Sequence, residues 1–208
     1  VRFGASEVIP HGGGGGASGN VTVNGTLDLN TFSESINGIS GTGVIDTVAG
    51  GTPTLTVGYN GQSGAFEGIL QNTSGTLSFE KIGNNTIDLG GANTYSGSTT
   101  VTGGTLQVSH ASALGNTSGV SLADGTSFVP DLDGFTTSAP FTLDTGGTTS
   151  FISVPINGDG NGADKTMTLN GPISGDGDLV FTDLDGSGNN SDGIIVLGAA
   201  SSYTGDTT

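Results

Sequence analysis

Reactive groups are scarce in this chain: two histidines, 19 carboxylates, one methionine, no cysteine and no tryptophan. Nucleophilic catalysis needs a hydroxyl beside a general base, and only Ser109-His110-Ala111-Ser112 crowds hydroxyls around a histidine. The carboxylate that would orient such a base has to come from elsewhere in the chain, and there is no Gly-x-Ser-x-Gly elbow. The other histidine, His11, precedes a glycine run that contains Gly14-x-Gly16-x-x-Gly19. A dinucleotide fingerprint requires a strand before it and a helix after it, whose N-terminus receives the phosphates. Here Val21-Thr22-Val23, a strand-like triplet, follows instead, so the run reads as a glycine loop.

Carboxylates cluster at Asp131/Asp133, Asp159/Asp164, Asp176/Asp178 and Asp183/Asp185/Asp192. Pairs of this kind can serve glycoside hydrolysis or cation-assisted polysaccharide cleavage. These pairs lie among glycines, where Asp caps its own turn, and a sugar cleft wants aromatic platforms that three Tyr hardly supply. The cation chemistry that fits best is Ca²⁺, which takes carboxylate and carbonyl oxygens. Asp183 to Asp192 offers such oxygens, without the spacing of an EF-hand or of the glycine-rich nonapeptide repeat. No catalytic, cofactor-binding or metal-ligating residue is assigned on these grounds. The chain is read as non-enzymatic, with Ca²⁺ the only cofactor considered.

The charge balance narrows the partners. Three Lys+Arg against 19 Asp+Glu give a formal charge of −16 over 208 residues. Nucleic acid demands a cationic footprint, and Arg2, Lys81 and Lys165 do not make one. A membrane span needs about 18 consecutive apolar residues, whereas the longest candidate runs only from Gly193 to Ala200. Neither nucleic acid nor direct membrane insertion is therefore expected of this segment. The chain begins at Val1 and stops within a motif-like stretch, and both ends read as cuts in a longer polypeptide.

The elements that would position any of these groups are short strands. Leu, Ile, Val and Phe make up 50 residues, just above the share of roughly 20% at which packing a core becomes feasible. Four Glu and two Lys leave little to build helices, while Gly, Thr, Val and Ser abound. Runs such as Leu55-Thr56-Val57, Leu77-Ser78-Phe79, Ile87-Asp88-Leu89 and Leu106-Gln107-Val108 alternate apolar and small polar residues, the period of strands buried on one side. Asn24-Gly25, between Val21-Thr22-Val23 and Leu27-Asp28-Leu29, is a strong turn signal.

The pattern repeats. Gly90-Gly91-Ala92-Asn93-Thr94-Tyr95-Ser96-Gly97-Ser98-Thr99-Thr100 returns from Gly198 to Thr208, with Tyr95 and Tyr203 in the same place. Ile-Ser-Gly-x-Gly occurs at Ile39 and Ile173, and Gly-Thr-Leu at Gly25, Gly75 and Gly104. Three-residue strands are poor sandwich strands but suffice when each pairs with the rung above and below, so a solenoid is preferred to an antiparallel sandwich. At roughly 20–25 residues per rung the chain gives about nine rungs, and at a strand spacing near 4.8 Å a rod of about 40–45 Å. Tyr95, Leu89, Val101, Leu106 and Val108 are expected at structural repeat positions, with Gly97 and Gly104 at corners.

The stretch from Ile87 to Val108, with its Gly-Ala-Asn-Thr-Tyr-x-Gly-x-Thr-x-Val core and following Gly-Thr-Leu, resembles the autotransporter-associated β-strand repeat, also called the passenger-associated transport repeat. The full motif lies near 87–108 and a truncated copy at 194–208, within a single repeat segment over 1–208. The resemblance implies an all-β, right-handed parallel β-helix, a fragment of a longer repeat protein. It further implies a secreted or surface-displayed bacterial passenger, located extracellularly or on the cell surface, acting as stalk, spacer, adhesive rod or fibre subunit. Expected partners are neighbouring repeats, further copies of the chain, or cell-surface and matrix glycans. The alternative is a carbohydrate-binding or polysaccharide-degrading module on the same scaffold.

Overall fold

The computed structural model describes residues 1–11, 19–144, 149–154, 165–183 and 194–208. Among these, every strand pairing is parallel and no helix occurs. The first sheet stacks eight strands: β1 (Val21–Thr22), β4 (Ile39–Gly41), β7 (Gly64–Phe66), β10 (Thr86–Leu89), β12 (Thr105–Val108), β14 (Ser127–Pro130), β17 (Thr149–Val154) and β20 (Asp178–Asp183). The second stacks seven: β3 (Glu34–Ile36), β6 (Thr54–Val57), β9 (Ser78–Lys81), β11 (Thr99–Val101), β13 (Val120–Ala123), β16 (Phe141–Asp144) and β19 (Ile173–Gly175). The third face carries two separate three-stranded sheets: β2 (Thr26–Asp28), β5 (Val44–Asp46) and β8 (Ile69–Leu70), then β15 (Phe135–Thr137), β18 (Thr166–Leu169) and β21 (Ile194–Leu197).

This is the expected β-solenoid. It is shorter than expected, because the rungs are uneven. Stacked partners lie from 18 positions apart, Val21 on Ile39, to 32 apart, Phe141 on Ile173. Eight strands make seven spacings, so the rod is about 34 Å long instead of 40–45 Å.

Alternation within each strand sends one set of side chains into the bore, where equal positions on successive rungs pile into columns. Ile87, Leu106, Phe128 and Ile152 form one column of the first sheet, each fully buried. Leu27, Ile45 and Leu70 do the same on the third face. The three phenylalanines of the middle rungs meet in the bore, with ring centroids 5.9 Å apart for Phe128 and Phe135 and 5.3 Å for Phe128 and Phe141. A narrow bore gives each rung few large side chains, so rungs depend on their neighbours for burial.

Candidate functional site

The third face is broken where the chain runs from Leu89 to Thr99, the stretch that carries the repeated peptide. Without a strand there, backbone groups need other partners in a dry interior. Asn93 supplies them. Its Oδ1 accepts from Leu70 N–H at 2.8 Å on the rung before, and its Nδ2 donates to the Ala113 carbonyl at 2.6 Å on the rung after. One buried amide thus ties three rungs together. The neighbouring Thr94 N–H also donates to the Leu70 carbonyl at 2.9 Å.

Tyr95 is fully buried, and its hydroxyl shares a hydrogen bond of 2.7 Å with Thr99 Oγ1. Thr99 Oγ1 in turn meets Thr117 Oγ1 at 3.0 Å, and Thr117 reaches the Gly97 carbonyl at 2.8 Å. Burial pushes the Tyr95 phenol well above its usual range, against the smaller opposing effect of the Thr99 bond, so it acts as a neutral hydrogen-bonding group. Gly97 lets the turn close: a methyl there would collide with the Leu77 carbonyl and the Ser78 hydroxyl. Gly104 opens β12 with φ +64, a left-handed corner that suits glycine. All the positions expected to repeat structurally, Leu89, Tyr95, Val101, Leu106 and Val108, are completely buried.

The truncated copy reproduces this scheme in part. Ser201 stands where Asn93 does, and its Oγ accepts from Ile173 N–H at 3.3 Å. Tyr203 bonds Thr207 as Tyr95 bonds Thr99. The two copies turn different corners, however. Thr99 stacks on Phe79 of the second sheet, whereas Thr207 bridges Leu179 of the first.

Sequence reasoning missed two charges that point into the bore. In the second sheet, Ile36, Val57, Lys81, Val101 and Leu122 form one inward column, and Lys81 sits there fully buried. Its Nζ donates to the carbonyls of Ile82 at 2.8 Å, Gly83 at 2.8 Å and Gly103 at 2.9 Å, and to Asn85 Oδ1 at 3.0 Å. Burial pulls its pKa down to about 8, and the ammonium ties the corner after β9 to the corner before β12. Glu34 opens the adjacent column above Leu55 and Phe79. Its carboxylate accepts from Val8 N–H at 2.9 Å and Ile9 N–H at 2.5 Å, which binds residues 1–11 across the end of the bore. The signal for both was parity: in Ser78-Phe79-Glu80-Lys81 and Glu34-Ser35-Ile36, alternation aims the charge inward.

Among the described residues, the groups considered for chemistry do not assemble into a catalytic arrangement. Ser109 Oγ donates to Asp88 Oδ2 at 2.8 Å, a carboxylate from the rung before, instead of to His110. His110 Nδ1 is taken by Ser112 N–H at 3.0 Å. His11 lies edge-on to Tyr59 at 4.3 Å, with Nδ1 3.2 Å from Glu7 Oε2. Asp131 pairs with Lys165 at 3.1 Å and accepts from Gln107 at 3.1 Å, while Asp133 accepts from Thr166 N–H at 2.8 Å. Asp178 accepts from Asp206 N–H at 2.8 Å. The contacts of Asp88, Asp131, Asp133 and Asp178 are rung-to-rung ties. Among the described residues, no group of three or more His, Asp or Glu could hold a metal ion. The glycine run at 12–18, Asp159/Asp164 and the acidic stretch 184–192 lie outside the described residues.

Comparison with known proteins meets this geometry at the same residues. The Passenger-associated-transport-repeat family matches residues 79–108, beginning within β9 and ending with β12. A similar protein is "Adhesin BmaC autotransporter" of Brucella suis biovar 1 (strain 1330), 31% identical over 183 residues. That alignment covers 84% of this chain, which spans only 5% of the relative's length. No solved structure matches the chain. Asn93, Tyr95 with its partner Thr99, and the Lys81-pinned corners fall inside the matched segment, and the chain is a β-solenoid that carries a passenger-associated transport repeat at residues 79–108.

Proposed function

We propose that this chain is a non-enzymatic segment of an exported bacterial surface passenger, in which the stacked backbone itself is the functional element. It holds an adhesive surface away from the cell as a stalk or spacer. The observation that carries the reading is the solenoid's internal wiring. Its least ordinary side chains, Asn93, Tyr95, Lys81 and Thr99, are spent on joining rungs inside the bore, inaccessible to any ligand. The similarity to an adhesin supports the same direction. Rungs that bury surface only by stacking on the previous one can also fold progressively as they emerge outside a membrane.

The test is display. Fused ahead of an outer-membrane translocator, the segment should reach the cell surface, read by antibody binding to intact cells and by cleavage with added protease. Asn93→Ala should lower the displayed fraction. A folded segment that never becomes accessible to protease would sink the reading. Saturable binding in a glycan panel, lost on substituting Asp131 and Asp133, would favour the carbohydrate module instead.

A further inference from the structure

Six Asn-Gly pairs stand in the chain, beginning at Asn24, Asn37, Asn60, Asn157, Asn161 and Asn170. Each sets a carboxamide beside a backbone nitrogen that no following side chain shields, the arrangement that closes a five-membered imide. What separates them is whether the fold leaves the two groups free to meet. Asn37 is completely buried, and Gly38 N–H is held by Asn20 Oδ1 at 2.9 Å. At the next pair, Gly61 N–H donates to the Gly58 carbonyl at 3.0 Å, and Asn60 Nδ2 donates to the His11 carbonyl at 3.2 Å. Asn170 is exposed, but its carboxamide lies against Gly198 on the next rung, and Gly171 is buried where an added methyl would strike the Ala139 carbonyl. Asn157 and Asn161 lie outside the described residues.

Asn24-Gly25 differs from all of these. Both residues are exposed at the corner between β1 and β2, and they help to line the groove at the N-terminal end. The flanking strand β1 ends its sheet and pairs only with β4. Gly25 N–H donates to no group among the described residues, although the Gly25 carbonyl accepts from Val44 N–H at 2.8 Å.

We propose that Asn24 is a self-modification site, at which the chain converts its own asparagine to aspartate and isoaspartate without an enzyme. Gly25 N attacks Asn24 Cγ: the N–Cγ bond forms, the Cγ–Nδ2 bond breaks, and the displaced Gly25 amide hydrogen leaves with Nδ2 as ammonia. Water then opens the imide. Cleavage at Cγ gives aspartate, and cleavage at the backbone carbonyl carbon gives isoaspartate, whose chain runs through the former side chain. One water is consumed and one ammonia released, with no change of oxidation state.

The corner sets the consequence. Gly43 N–H donates to the Val23 carbonyl at 2.7 Å and Val44 N–H to the Gly25 carbonyl, so the next rung grips the chain on both sides of Asn24. Isoaspartate adds a carbon to the backbone between those two carbonyls, and both bonds cannot then be kept in register. The end rung loosens with time, while inner rungs, each held from two sides, keep their bonds.

The purified segment is held at pH 8 and sampled over days. Peptide mapping after chymotrypsin digestion reads deamidation at each pair and separates isoaspartate from aspartate. A pair that must open before it reacts is slowed by its opening equilibrium, so Asn24 should convert roughly ten- to a hundredfold faster than Asn37 or Asn60. Unfolded in guanidinium chloride, the four described pairs should convert at similar rates. A methyl at Gly25 meets nothing within 4 Å, so Gly25→Ala keeps the corner while shielding the nitrogen, and it should lose most of the conversion at Asn24. Asn24→Gln, whose longer side chain closes the imide poorly, serves if that variant misfolds. Hydrogen exchange at Val44 should quicken as isoaspartate accumulates. Conversion at Asn24 no faster than at Asn37 and Asn60 in the folded chain, a ranking that survives in guanidinium chloride, or a rate unmoved by either variant would each overturn the proposal. None of these outcomes bears on surface display, which is read by protease accessibility.

Discussion

Asn93 does with one side chain what a strand would do with a ladder, and the chain holds its own control. Replacing it with Ala leaves the Leu70 N–H and the Ala113 carbonyl without partners in a dry interior, which should cost about 2–4 kcal/mol in urea unfolding. Asn93→Ser copies Ser201, whose Oγ accepts from the rung before but whose side chain has no second polar atom for the rung after, so about half that loss is expected. Lys81 makes a different prediction. Its folded pKa of about 8 lies below the ordinary 10.5, so between those values the unfolded chain binds the proton that the folded chain has released. Stability should therefore rise with pH across that window. Lys81→Met should abolish this slope and, at pH 7, destabilise by about 1–3 kcal/mol by stranding buried acceptors. Comparing the urea midpoints of the two proteins at pH 7, 8, 9 and 10 isolates Lys81 from other titrating groups. A wild-type slope that survives in the variant would show that Lys81 is not its source.

Strands and corners were largely legible because their physics is local. Alternation in Leu55-Thr56-Val57 or Leu106-Gln107-Val108 needs only neighbours to be read, and each run became a strand with its apolar side buried. Which face a strand joins was not legible. Ile-Ser-Gly-x-Gly begins in the first sheet at Ile39 and in the second at Ile173, since corner lengths between copies, not the peptide, decide where it lands. The break in the third face was hidden too, because Asn93 makes up for it with side-chain bonds that leave no periodicity behind. Carboxylates on these elements differ in sign. Burial raises the Asp46 pKa, but bonds from Thr73 Oγ1, Gln71, Thr73 N–H and Thr47 N–H outweigh it and hold the group below 3.8. The stability it contributes is present above that value and lost as pH falls through the lowered folded pKa. At Asp88, burial first and then the charges of Glu67 and Asp131 win over the Ser109 bond, and the pKa is raised. There the folded chain holds a proton longer than the unfolded one, so stability falls as pH climbs past 3.8 through the folded pKa. Asp46→Asn should therefore flatten the acid loss seen by thermal melts below pH 4. Asp88→Asn should stabilise the protein at pH 7 by about 0.3–1 kcal/mol, the scale of a half-exposed charge interaction.

For the whole molecule, what matters is how a stack of mutually dependent rungs ends. At the N-terminal end, Phe3, Ile9, Val21, Val23 and Leu27 line a groove of about 420 Å³ over the open bore. Residues 1–11 partly close it: Phe3 N–H donates to the Asp28 carbonyl at 2.9 Å, Arg2 pairs with Asp28 at 2.5 Å, and Glu34 holds Val8 and Ile9. At the other end, outward Ile194 and Val196 stay 47% and 42% exposed. In a nearest-neighbour stack, hydrogen exchange should be slowest in the central strands β10 to β13 and quicken toward both ends. Glu34 separates two contributions at the first end. Glu34→Leu would extend the apolar column above Leu55 and Phe79 while removing both acceptors of the strap. Two amide bonds to a charged group account for enough free energy that exchange at Val8 and Ile9 should accelerate roughly ten- to a hundredfold. The rungs beneath, which gain apolar contact and lose a buried charge, should exchange no faster than before. If strap and rungs instead loosened together, the carboxylate would be holding the whole stack and not just its lid.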